Sequence, residues 1–373
     1  MMADQIGVGI IGANPDRGWA VSAHIPALKS LPRYALRAVS TTRKETADAT
    51  AQRFGVPLAF DDHHALVTHP AVDLVVVSVK VPLHHALVTS ALRAGKHVFC
   101  EWPLGNGLDE ALSLRDLAVE KGVQHVVGLQ ARASLVINQV RDLVAQGYVG
   151  EVLSVSVLGS GSAWGPIVDT ANAYLYDRAN GATLLSIPGG HFMDALCYAL
   201  GELGEIGASF ATRRTRVTLA DTGETRPVTS PDQVLVSGTL PNGAPVSLHL
   251  RGGQTNGTNL HWEINGTEGT LLVTGPSAHV QLADLKLLGA RGDAPLAELP
   301  ASNADTHAHR HAPAAPPGPA FNVAQLYALL ADDIAHGTRK APSFDTAVTR
   351  HRMLAAIERA AATGNRERYA PAP

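Results

Sequence analysis

Cysteine is nearly missing from this chain, with Cys100 and Cys197 the only two in 373 residues. They make no disulfide framework and sit at no metal-ligand spacing, which fits a reducing compartment. Charge of one sign is also lacking. Thirty basic residues stand against 33 acidic ones, for a net charge of −3. No basic stripe points to direct nucleic-acid binding. No segment approaches the roughly 18 apolar residues of a membrane span, and Met1 to Gln5 lacks the basic region of a signal peptide. These absences lead to the expectation of a soluble, cytoplasmic protein with a small ligand. The length suits two domains of about 150 residues each.

The chain does hold Gly7-Val8-Gly9-Ile10-Ile11-Gly12, a G-x-G-x-x-G pattern at an apolar strand ahead of a helical stretch from Arg17 to Leu31. It reads as a dinucleotide-binding turn. Gly7 would permit the tight strand exit, Gly9 the approach of a pyrophosphate, and Gly12 the packing of the helix on the sheet. Further strand candidates recur at Tyr34–Ser40, Pro57–Phe60, Val72–Val79, His97–Cys100 and Val123–Leu129, with helical stretches between most of them. The alternation predicts an α/β domain, a parallel sheet with helices on both faces, ending near residue 129.

A second pattern begins at Glu151, with strands expected at Glu151–Leu158, Ile206–Arg213, Gln233–Leu240, Pro245–Arg251, Asn259–Asn265 and Thr270–Thr274. Pro241-Asn242-Gly243-Ala244 supplies a hairpin turn. Residues 130–373 therefore read as an α+β domain with a large, open, mostly antiparallel sheet. Ala290–Ala320, rich in Pro and Ala, reads as an irregular loop. Its His307, His309 and His311 carry no metal-ligand pattern, and no metal is expected. The closing helices, Val323–His336 and Thr346–Thr363, are expected to pack on this sheet.

Gly95-Lys96-His97-Val98-Phe99-Cys100-Glu101-Trp102-Pro103, taken with the glycine pattern, resembles the Gfo/Idh/MocA oxidoreductases. Gly147-Tyr148-Val149-Gly150-Glu151, Asn265-Gly266-Thr267-Glu268-Gly269-Thr270 and Ser343-Phe344 extend the likeness over nearly the whole chain. The resemblance implies an N-terminal Rossmann domain, doubly wound, that binds NAD(H) or NADP(H), and a C-terminal substrate domain. Asn14–Leu28, Ser78–Pro82 and Leu184–Pro188 are similar to the branch containing the yeast galactose-regulon repressor. Two departures stand out. Trp102 replaces the lysine of the family's Glu-Lys-Pro, and Ser186 or Ile187 stands where the Asp-x-Gly-x-His-x-x-Asp pattern has its first carboxylate.

His191 is the candidate base, its neutral ring favoured by the helix start that Pro188-Gly189-Gly190 implies. Asp194, a turn later, would orient the ring or touch a sugar hydroxyl. Lys80, after the Val-rich strand, would replace the lost cation. Arg17 at the helix start would meet a phosphate. Ser40, Thr41, Thr42 and Arg43 stand where an NAD site has its acidic residue, which favours NADP over NAD. Asn14, Trp19, Val79 and His84 join this nucleotide set, as do Glu101, Trp102, Pro103 and Gln130. Trp102-Pro103 is expected to be cis. Arg132, Trp164, Asn172, Tyr174 and Tyr176 would hold substrate with His191 and Asp194. The resulting reading is an NAD(P)-dependent oxidoreductase for a sugar, polyol or related hydroxy compound. A non-enzymatic nucleotide-binding regulator stands beside it, as does redox-assisted elimination or epimerisation. A homo-dimer or homo-tetramer through the open sheet is expected.

Overall fold

The computed structural model describes residues 5–282, 284–300 and 311–371. They form two compact units, the first built from residues 1–133 and 310–348 and the second from 134–309 and 349–373. Against an expected end of the first domain near residue 129, the chain divides after Ala133, and a late segment belongs to the first unit.

In the first unit, six strands lie in the order β3-β2-β1-β4-β5-β6. They are β1 (Ile6–Ile11), β2 (Tyr34–Ser40), β3 (Leu58–Phe60), β4 (Leu74–Val77), β5 (His97–Glu101) and β6 (His125–Gly128). Every pairing is parallel. All four residues of β4 are buried, as a Val-rich strand covered on both faces must be. The strand order reverses between β1 and β4, which opens a crevice at their carboxyl ends.

The helix Pro319–His336 departs from expectation. It buries Val323, Leu326, Tyr327 and Leu330 in the core of the first unit with Ala23, Ile25, Leu28, Tyr34 and Phe99. The Tyr327 ring lies 5.0 Å from Phe99 and 5.3 Å from Tyr34. The Tyr34 hydroxyl donates to the Tyr327 carbonyl at 2.7 Å. These contacts take up its apolar face within the first unit.

The second unit centres on an eight-stranded sheet in the order β17-β16-β15-β14-β7-β13-β12-β9. The strands are β7 (Val152–Ser160), β9 (Ile206–Ala211), β12 (Gln233–Thr239), β13 (Pro245–Arg251), β14 (Leu260–Gly266), β15 (Gly269–Thr274), β16 (Lys286–Arg291) and β17 (Ala297–Glu298). Only β7 and β13 pair in parallel; the rest are antiparallel. Alternation along β12 and β13 buries Val234, Val236, Val246, Leu248 and Leu250 on one face. Phe192 of the helix Gly190–Leu200 packs edge-on against Trp262 of β14, with ring centres 5.2 Å apart.

A smaller sheet of β8 (Ile167–Val168), β10 (Arg216–Leu219) and β11 (Thr225–Pro227) was not anticipated. The expected loop Ala290–Ala320 is also partly regular, since β16 runs into it, β17 lies within it and Pro319 opens a helix. His307 and His309 lie outside the described residues, while His311 is exposed. No described helix is long and apolar enough to cross a membrane.

Candidate functional site

The glycine motif is the first correction. Gly7 and Gly9 belong to β1 and make no turn. A Cβ on Gly7 would lie 2.1 Å from the Ala71 carbonyl oxygen, and one on Gly9 would meet Leu66 and Val72. Both glycines serve close strand packing. The strand exit is Gly12, whose φ of 99° favours glycine and whose added Cβ would lie 2.3 Å from the Ser78 carbonyl oxygen. The loop then runs to Gly18, with φ 98° and open space where a Cβ would sit. Arg53 pins this loop through the Pro15 carbonyl at 2.7 Å and the Asp16 carboxylate at 2.9 Å. Asn14 accepts the Asp16 amide at 3.0 Å. Arg17 is exposed and precedes the helical turn Ala20–His24 rather than opening it. The Trp19 indole nitrogen is buried with no hydrogen-bond partner.

At the end of β2, Ser40 is buried and its carbonyl accepts the Gly12 amide at 2.9 Å. Thr41 donates to the Arg43 carbonyl at 2.8 Å. Thr42 and Arg43 are exposed, Arg43 preceding the helix Lys44–Phe54.

Beyond β4, Val79 packs on Gly12 and Lys80 is exposed at the head of the turn Val81–Leu83. His84 is fully buried, with Nδ1 2.7 Å from the Pro103 carbonyl and Nε2 3.1 Å from the Val79 carbonyl. Burial lowers its pKa, against the opposing pull of those carbonyls. Its ring clamps two loops together, which removes it from the expected nucleotide contacts. Trp102-Pro103 is cis, and Trp102 is buried. Glu101 ends β5 and Gln130 follows β6, with the Gln130 amide nitrogen 3.0 and 2.8 Å from the Glu101 carboxylate oxygens. Arg132 is half-buried on the same turn as Gln130.

Sequence reasoning missed His24 and Tyr327, which complete this group. His24 Nε2 lies 2.9 Å from Glu101 and its Nδ1 2.7 Å from the Tyr327 hydroxyl. Burial raises the tyrosine pKa well above its usual value. His24 had a signal, as a polar residue on an otherwise apolar helical face; Tyr327, 303 residues away, had none. The Gly12 exit, the open Gly18 and the unpaired Trp19 Nε1 and Gln130 Oε1 fit a nicotinamide nucleotide, whose phosphates approach backbone closely and whose amides and hydroxyls need partners.

In the second unit, His191 is the second residue of the helix Gly190–Leu200, preceded by the turn Leu185–Gly189. It is buried, and its Nδ1 has no partner. Its pKa is lowered to about 3, by burial first and the nearby His279 second. His279, also unnoticed in the sequence, is lowered to about 4 by burial, and its Nε2 is likewise unpartnered.

Asp194 forms its ion pair with Arg350 rather than His191. It is fully buried beside Arg350, whose Nε lies 3.5 Å from its carboxylate. Ser186 caps locally, donating to the Gly181 carbonyl at 2.6 Å. Three expected substrate contacts are occupied elsewhere. Trp164, held at a φ of 61°, donates to the Leu175 carbonyl at 3.0 Å and stacks on His279 with ring centres 6.2 Å apart. The buried Tyr176 donates to the Gly165 carbonyl at 3.0 Å, and Asn172 donates to Asp169 at 2.8 Å. Tyr174 is half-buried, with its pKa raised by burial. Among the described residues, no group of three or more His, Cys, Asp or Glu could hold a metal ion.

Residues 6–129 match the oxidoreductase family with an NAD-binding Rossmann fold, and residues 136–275 match the C-terminal domain of Gal80p. The galactose/lactose metabolism regulatory protein GAL80 of Saccharomyces cerevisiae is 32% identical over 76% of this chain and 70% of its own length. The chain belongs to the Gfo/Idh/MocA family. Dehydrogenase aclE of Aspergillus oryzae is 29% identical over 99% of both chains. A super-repressor mutant of Gal80p superposes with a TM-score of 0.86 at 26% identity, over 98% of each chain. Levoglucosan dehydrogenase, in complex with NADH and levoglucosan, shares the fold with a TM-score of 0.84 at 21% identity, over 99% of this chain and 100% of its own.

Proposed function

We propose that this family member is an NAD(P)-dependent oxidoreductase acting on a sugar, polyol or related hydroxy compound, with His191 as its base. The observation that carries the reading is His191 itself, buried and neutral with an unpaired ring nitrogen on a short helix. Oxidising a carbinol needs an acceptor for the hydroxyl proton. A ring of such low basicity suffices there, because hydride loss turns the hydroxyl into a protonated carbonyl, a far stronger acid than imidazolium. The bound nucleotide supplies the hydride chemistry. Gly12 to Gly18, with Arg17, would hold its phosphates. Lys80 would provide the cation that Trp102 cannot.

The exposed Arg43, with Thr41 and Thr42 beside it and no carboxylate at the end of β2, supports NADP over NAD. Arg43→Ala is expected to weaken NADPH while sparing NADH in calorimetric titration. Equal affinities in the parent, unchanged by the substitution, would remove the 2′-phosphate assignment. A cytoplasmic location, and a homo-dimer or homo-tetramer formed through the open sheet, complete the reading.

The likeness to GAL80 and the loss of the lysine at Trp102 favour a second reading, a nucleotide-dependent regulator. A screen of sugars and polyols for nucleotide reduction, and of the matching carbonyl compounds for its oxidation, decides between the two. Turnover supports the enzyme. No redox change, together with a protein partner whose binding depends on nucleotide, supports the regulator.

A further inference from the structure

Gln130 leaves a buried acceptor without a donor at the carboxyl end of the parallel sheet. Its side chain is 1% exposed and its Oε1 has no partner, although Nε2 meets both oxygens of Glu101. A buried carbonyl left unpaired is destabilising unless a donor reaches it. The amide cannot turn over to relieve it, because a carboxylate offers acceptors only and must face the amide nitrogen.

Glu101 is fixed in turn. His24 Nε2 lies 2.9 Å from it and His24 Nδ1 lies 2.7 Å from the Tyr327 hydroxyl, so a ring carrying one proton that donates to Glu101 accepts from Tyr327. In that tautomer the protons run one way, from Tyr327 to His24 and from His24 to the carboxylate that orients Gln130. Gly128 is part of the cradle. A Cβ there would lie 2.6 Å from Glu101 Oε2 and 2.8 Å from Gln130 Nε2. Glu101 ends β5 and Gln130 follows β6, on the half of the sheet beyond the reversal between β1 and β4. In a doubly wound sheet the second half of a dinucleotide lies there, with the adenosine on the side of β1 and β2.

We infer that Tyr327, His24 and Glu101 are positioning residues that hold the Gln130 carbonyl outward as the acceptor for a primary carboxamide, making the site selective for nucleotides that carry that group on the pyridine ring. The inference rests on the nucleotide-binding part of the function proposed above. A methyl ketone in place of the carboxamide has no N–H to give, and a carboxylate would repel the acceptor.

The test compares the affinity of the full chain for NADH, for the reduced 3-acetylpyridine analogue and for ADP-ribose, which has no pyridine ring, by calorimetry. The parent should favour NADH over the acetyl analogue by about tenfold, the worth of one hydrogen bond to a buried acceptor. Gln130→Met, Tyr327→Phe and His24→Phe should each bring the ratio to within about twofold while leaving ADP-ribose affinity unchanged. Equal binding of the two dinucleotides by a parent that binds ADP-ribose overturns the inference and spares the nucleotide site. Loss of discrimination in Gln130→Met but its full retention in Tyr327→Phe and His24→Phe overturns the positioning role. Failure of the parent to bind ADP-ribose overturns both readings.

Discussion

Asp194 has no exposed surface, and the Arg350 guanidinium it faces is itself 1% exposed. Arg350 also pairs with Glu202, and the Tyr369 hydroxyl donates to the same carboxylate. A charge so deeply buried is stable only while paired. Asp194→Ala should therefore destabilise the protein by about 3 kcal/mol in urea unfolding, the low end for a broken buried pair because Glu202 remains on Arg350. Nucleotide affinity should not change. A loss below about 0.5 kcal/mol, the scale of a surface substitution, together with a collapse of turnover, would return Asp194 to the substrate. The sequence could not separate these roles, since Arg350 lies 156 residues away and a carboxylate one turn from a histidine suits either.

Between Ile6 and Gly12 the letters fit a nucleotide turn, but strand length decides which glycine leaves the sheet. β1 pairs with β2 and β4 as far as Ile11, so Gly12 alone is at the exit. Among the parallel strands β4 and β6 were the most legible, because strands buried on both faces read as apolar runs. The pairing partners of Pro319–His336 were not, since helical periodicity marks a face without saying what covers it. The short edge strand β17, its neighbour β16 and the sheet of β8, β10 and β11 carry too few apolar residues to stand out. Gly7→Ala should destabilise the fold, because its Cβ would run into the Ala71 carbonyl, by about 1–3 kcal/mol as for other overpacked sites. Gly18→Ala meets nothing and strains only its own backbone, so its effect on unfolding should be smaller, about 1 kcal/mol. If Gly18→Ala were the more damaging of the two in urea unfolding, the assignment of Gly7 to close strand packing would fail.

Across the molecule, several histidines are buried in the neutral form. His125, His191 and His279 have pKa values lowered to about 4, 3 and 4, and that of His84 is lowered too, with burial the leading cause in each. Between those values and the ordinary 6.5, the unfolded chain binds protons that the folded chain does not. Stability must rise with pH across that window and fall on acidification. The midpoint of thermal unfolding should drop steadily from about pH 6.5 to about pH 4.5, and His279→Gln should make the slope shallower. A midpoint flat over that range would mean that these rings are protonated in the folded state.

The proposed base at His191 is probed by comparing kcat/KM of the parent and His191→Ala on whichever carbinol the screen yields, with the nucleotide Kd measured alongside. A fall in kcat/KM of about 10² to 10⁴ with the nucleotide Kd unchanged is the expected result. Turnover that survives the substitution, or that disappears only together with nucleotide binding, would rule that role out.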